Sequence, residues 1–144
     1  MKLNQARIIT LKEAREVIRR AVEKAEELKQ KGSFVVVDDS GILISASRMD
    51  GAAPMTPDIA EATAMTAINF KCSSRDVADL YLETPELNYL EGLVPFKILP
   101  IPGGVPLMEG EQLIGAIGIS GGSPDQNEQI AEAAIVVTGG ALDQ

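Results

Sequence analysis

A chain of 144 residues has the length of one ordinary domain, and with 45% apolar residues, 3% aromatics and no Trp its core must be built from Ala, Val, Ile and Leu. The 13 Lys and Arg against 21 Asp and Glu leave a net charge of −8 with no basic cluster to offset it, which argues against a nucleic-acid partner. The absence of His excludes His-dependent triads, zincin-type metal sites and proximal-His haem ligation, and the single Cys72 excludes an intramolecular disulfide.

The polar start from Met1 to Gln5 lacks the charged-then-apolar pattern of a signal peptide, so a reducing, cytoplasmic setting is expected. No apolar run reaches the roughly 20 residues that span a bilayer, so no membrane partner is expected. No linker, repeat or low-complexity tract divides the chain, and residues 1–144 read as a single domain.

Thr10 with Glu13 forms a capping-box signature, which starts a helix at Leu11. Apolar positions at Leu11, Ala14, Val17, Ile18, Ala21, Val22, Ala25 and Leu28 step by three and four and carry the helix to about residue 30, with Gly32 as its left-handed exit. Residues 34–37 are a continuous apolar run suited to a strand buried on both faces. Asp38-Asp39-Ser40-Gly41 supplies a turn, and residues 42–48 return as the hairpin partner. Thr56-Pro57-Asp58 reads as cap, first helical proline and dipole-favouring acid for a helix over 57–71, whose alanines permit close approach to a sheet. Ser73 with Asp76 caps a shorter helix to about residue 82, and residues 84–95 are irregular, a length that suits a functional or a mobile loop. Residues 98–101, 105–108 and 113–120 read as three further strands, and Ser123-Pro124-Asp125 opens a last helix over 124–137, ended by Gly139-Gly140. Strands grouped into hairpins predict an α+β fold with a five-stranded antiparallel sheet flanked by helices.

Four ordered segments carry a resemblance: Val36-Val37-Asp38 through Gly41, Arg48-Met49-Asp50-Gly51, Pro102-Gly103-Gly104-Val105-Pro106, and Gly115 through Gly122. Together they resemble the GlcG/HbpS family of haem-degrading-type domains, which includes the C-terminal part of PduO-type corrinoid adenosyltransferases. The resemblance implies a profilin-like fold and a homo-oligomer around small-molecule pockets. The family's helical Lys-Ala before Thr-Ala is here Thr63-Ala64-Met65-Thr66-Ala67, so a charged pocket contact is replaced by Thr63, and an expected Asp is Asn127 beside Glu128. Haem could be ligated only by Met, Tyr, Cys or Lys, or bind without a protein ligand.

Arg48 and Asp50, at the end of the second strand, read either as an anion-gripping arginine oriented by an acid or as an ion pair tying down the Gly51 turn. Gly103 and Gly104 between prolines form either an anion nest or a tight connection, and Ser120, Gly121 and Gly122 before a helix N-terminus offer either anion-binding N–H groups or a cap. Glu91 is a possible acid or base in the long loop, Cys72 a packing thiol, and the methionines filler. No spacing suggests a metal site. Two functions follow. The first is a binding module for a small anionic metabolite or tetrapyrrole-like cofactor. The alternative is an enzyme acting on a small carboxylate, with Asp50 or Glu91 as general base and glycine N–H groups as oxyanion donors.

Overall fold

A computed structural model describes residues 7–138. The elements run α1 (Leu11–Glu27), β1 (Ser33–Asp38), β2 (Leu43–Arg48), α2 (Thr56–Phe70), α3 (Ser74–Glu83), a 3₁₀ segment (Pro85–Leu90), β3 (Gly104–Glu109), β4 (Gln112–Ser120) and α4 (Pro124–Thr138). The strands form one antiparallel sheet in the order β2-β1-β4-β3.

Alternation along β1 explains the layers. Phe34 and Val36 face a core built with Val17, Ile18 and Ala21 of α1 and with Ile130, Ala131 and Ala134 of α4. Val35 and Val37 face the other way, onto Ala60, Ala64, Ala67 and Ile68 of α2. The alanines let α2 lie so close that a Cβ at Gly118 would stand 1.9 Å from Ala60 O, and one at Gly104 would stand 2.0 Å from Thr63 O.

The capping box at α1 forms as expected: Glu13 N donates to Thr10 Oγ1 at 3.1 Å and Thr10 N to Glu13 Oε1 at 3.0 Å. The hairpin turn also forms, with Asp38 Oδ1 accepting from Ser40 N and Ile42 N while Gly41 takes φ +81°. Ser73 caps α3 through Asp76 N, and Ser123 accepts from Gln126 N at the start of α4.

Three expectations are corrected. The sheet has four strands, because residues 98–101 form none. Pro100 and Pro102 have no N–H to give, Leu99 N donates to Thr66 Oγ1 at 2.8 Å, and the Ser74 hydroxyl donates to Ile101 O at 2.5 Å. The segment is thereby laid over α2 and α3 and its polar groups are satisfied there. The left-handed residue after α1 is Lys29, at φ 56°, and not Gly32, which is instead pressed against Ser120 O. Thr56 does not cap α2; its hydroxyl donates to Ala53 O at 2.8 Å and lies 2.7 Å from Ser33 Oγ. The helix ends left-handed at Lys71, φ 57°. The stop expected at Gly139-Gly140 lies outside the described residues.

Candidate functional site

Arg48, Ser33 and Ser120 lie in one cross-strand row, so the end of β2, the start of β1 and the end of β4 meet at one edge of the sheet together with the start of β3. Arg48, Asp50, Gly103, Gly104, Ser120, Gly121 and Gly122 therefore share that end. Arg48 and Asp50 are both exposed and form no ion pair with each other. Gly104 N is taken by Ser74 Oγ at 2.8 Å, and Gly122 N by Asn127 Oδ1 at 3.0 Å. Two of the N–H groups expected to cover an anion thus hold the fold together.

The glycines have a packing reason to be there. A Cβ at Gly121 would meet Lys31 O at 2.4 Å, and one at Gly122 would meet Gln30 Oε1 at 2.0 Å. Asn127 fastens this corner: its amide bonds both Gly122 N and Gly122 O, and it accepts from Gln30 Nε2 at 2.9 Å. Lys31, which the sequence reading passed over, lays its ammonium beside the Gly51 turn. Ser120 is buried, and Thr63 is buried completely, its hydroxyl donating to Ala60 O at 3.0 Å. The position read as a lost pocket contact is therefore core in this chain.

Glu91 stands at the other end. Five residue steps along β2, roughly 17 Å, separate Leu43 at the hairpin end from Arg48. Here a cleft of about 720 Å³ opens between α2, the β1–β2 turn and residues 91–98. Val37, Leu43, Met65, Val94 and Phe96 give it apolar walls, while Asp58, Glu61, Glu91 and Lys97 carry its charge. Asp58, Glu61 and Met65 line it because steps of three and four on α2 bring them to one face. Met65 reaches across to the turn, so that a Cβ at Gly41 would meet its Cε at 2.9 Å. Burial, followed by the charge of Glu91, raises the pKa of the Tyr81 phenol on α3. Of the candidate catalytic and ligand-binding residues named from the sequence, only Glu91 lines this cleft. Phe96 and Lys97 lie in an irregular segment with no periodicity to mark them.

Cys72 is half-buried, and burial followed by Asp76 pushes its thiol up, away from a reactive thiolate. Among the described residues no group of three or more His, Cys, Asp or Glu is placed to hold a metal ion, and no helix is long and apolar enough to cross a membrane.

A small antiparallel sheet layered between helices, with a wide cleft at the hairpin end, defines an α+β domain. The chain belongs to the HbpS-like family: residues 9–136 match the family model described as haem degrading protein HbpS-like. The corrinoid adenosyltransferase PduO of Citrobacter freundii is 32% identical over 127 residues, covering 88% of this chain, and the chain spans only 38% of that relative's length. The crystal structure of a double mutant of Streptomyces reticuli HbpS superposes with a TM-score of 0.85 at 33% identity, covering 95% of this chain and 91% of the other. The crystal structure of a PduOC–haem complex gives a TM-score of 0.80 at 30% identity, covering 90% and 94%. The family resemblance read from the sequence is borne out, and so is the α+β class with an antiparallel sheet.

Proposed function

We propose that this chain is a small-molecule-binding domain that takes a flat, largely apolar ligand of the tetrapyrrole class in the cleft beside α2. The observation that carries the reading is the cleft itself: about 720 Å³, within the range of drug-sized and cofactor sites, with apolar walls from Val37, Leu43, Met65 and Phe96. The haem held by the related PduOC supports the ligand class. Charge decides against the small anionic metabolite. Three carboxylates, Asp58, Glu61 and Glu91, face one cation, Lys97, so a compact anion would meet net repulsion. A tetrapyrrole gains from the apolar walls, can set one carboxylate on Lys97 and can leave the other in water.

The residues present fit the macrocycle and do not fit imidazole-ligated iron, since the chain has no His. Met65 and Lys97 are the neutral-sulfur and amine donors on the walls. Haem bound there would bring iron redox chemistry, but in this reading the walls and Lys97 do the holding. The enzyme alternative, with Asp50 or Glu91 as base, loses support: Glu91 lies at the opposite end of the sheet from the proposed oxyanion donors, Asp50 at their end is exposed, and Gly104 and Gly122 have spent their N–H groups. Co-crystallisation with protoporphyrin IX tests the proposal. Density is expected between Met65 and Phe96; density at the Arg48 end of the sheet would overturn it.

A further inference from the structure

The stretch that follows α3 walls one side of the cleft, yet hydrogen bonds fasten it to the body of the fold only at its two ends. Thr84 N donates to Leu80 O at 2.8 Å, and Leu99 N donates to Thr66 Oγ1 at 2.8 Å. Between these points, among the described residues, the bonds run back into the stretch itself: Leu87 N to Thr84 O, Asn88 Nδ2 to Pro85 O, Glu91 N to Asn88 O and Leu93 N to Leu90 O. No residue from 84 to 98 is buried, and none belongs to either apolar core. A segment with so few buried groups opens locally at far lower cost than the sheet or α2.

Its apolar side chains are largely left in water. Tyr89 and Leu93 are each 77% exposed. Leu93 lies between Gly92 and Val94, which both line the cleft, but is not itself part of the wall. Gly92 holds φ +85°, with nothing within 4 Å of where a Cβ would stand. A glycine moves between positive and negative φ at little cost, and with open space around it that turn re-aims the side chain that follows.

We infer that residues 85–98 are a strap that closes on the occupied cleft and lays Leu93 against the ligand. The inference rests on the reading of the cleft as a tetrapyrrole site and adds a closing step to it. The strap already supplies Val94 and Phe96 to the wall, so the apolar surface of a bound macrocycle lies beside Leu93 and gives it the burial it lacks. Lys97 stands two residues from the Leu99 anchor, at the fixed end, and can receive a carboxylate before the strap moves. Closure then shuts water out and slows release.

The test pairs fluorescence titration of protoporphyrin IX with amide hydrogen exchange of the full chain, free and saturated. In the free protein the amides of residues 85–98 should exchange far faster than those of α2, and saturation should slow them by about tenfold or more. Leu93→Ser should leave the urea midpoint unchanged, because the side chain is exposed, yet weaken binding about tenfold through faster release. Leu82→Ser removes a side chain that is 81% exposed on α3, outside the strap, and should bind as the parent does. Binding that leaves the strap amides unprotected, Leu93→Ser that binds as the parent does, an equal loss in Leu82→Ser, or strap amides as protected as those of α2 in the free protein would each overturn the strap and leave the cleft reading standing. Protoporphyrin IX that fails to bind would overturn both.

Discussion

Gly104 and Gly118 stand directly opposite each other across β3 and β4, and the backbone of α2 rests on both. Thr63 O and Ala60 O lie 2.0 and 1.9 Å from where their Cβ atoms would be, and backbone cannot step aside as a flexible side chain can. Gly118→Ala is therefore expected to lower stability by at least about 2 kcal/mol in urea unfolding, through overpacking. Gly110→Ala is the control for space, since nothing lies within 4 Å of its would-be Cβ; at φ +62° it should show only the backbone cost, about 1 kcal/mol.

Glu13 gives a pH-dependent prediction. Burial alone would push its carboxyl up, but bonds from Arg7 and from the N–H and hydroxyl of Thr10 outweigh burial and hold it below the ordinary glutamate range. Because the folded pKa is the lower one, this contribution is full above the unfolded value and is lost as pH falls through the folded value. Glu13→Gln should cost about 1 kcal/mol at pH 7. Thermal melts across pH should show the gap between variant and parent closing below about pH 4.

The fold was more legible than the site, for a physical reason. Caps at Thr10, Ser73 and Ser123 and the Asp38–Gly41 turn are local devices, decided by neighbours in sequence. Residues 98–101 failed as a strand because their partners, Thr66 and Ser74, lie more than twenty residues away, and no local pattern announces a helix side chain that will satisfy a loop. The glycine segments read equally as ligand cradles or as tight connections, since sequence cannot distinguish a backbone approached by a ligand from one approached by Thr63 or Lys31, as these are. Strand direction brings Arg48 to the glycine end, where the N–H groups of Gly104 and Gly122 are taken by Ser74 and Asn127. Ser74→Ala is a direct check: it leaves Gly104 N buried without its acceptor and should cost about 1 to 3 kcal/mol in chemical denaturation.

Iron should not be the handle by which a tetrapyrrole is held. With no imidazole in the chain, hemin titration should give no sharp six-coordinate Soret band, and iron-free protoporphyrin IX should bind with comparable affinity. Met65→Leu keeps the apolar wall and should leave protoporphyrin affinity nearly unchanged. A sharp Soret band at stoichiometric hemin, abolished by one substitution at a Met, Tyr or Cys, would show instead that iron ligation dominates.

The central claim is that the ligand sits in the cleft at the hairpin end and not at the glycine end of the sheet. Fluorescence titration of protoporphyrin IX against the parent, Lys97→Glu and Arg48→Ala tests it most directly. Lys97→Glu removes the cleft's cation among Asp58, Glu61 and Glu91, and should weaken binding by about tenfold or more. Arg48→Ala, on the far end of β2, should bind as the parent does. Loss of binding in Arg48→Ala with retention in folded Lys97→Glu would contradict the account.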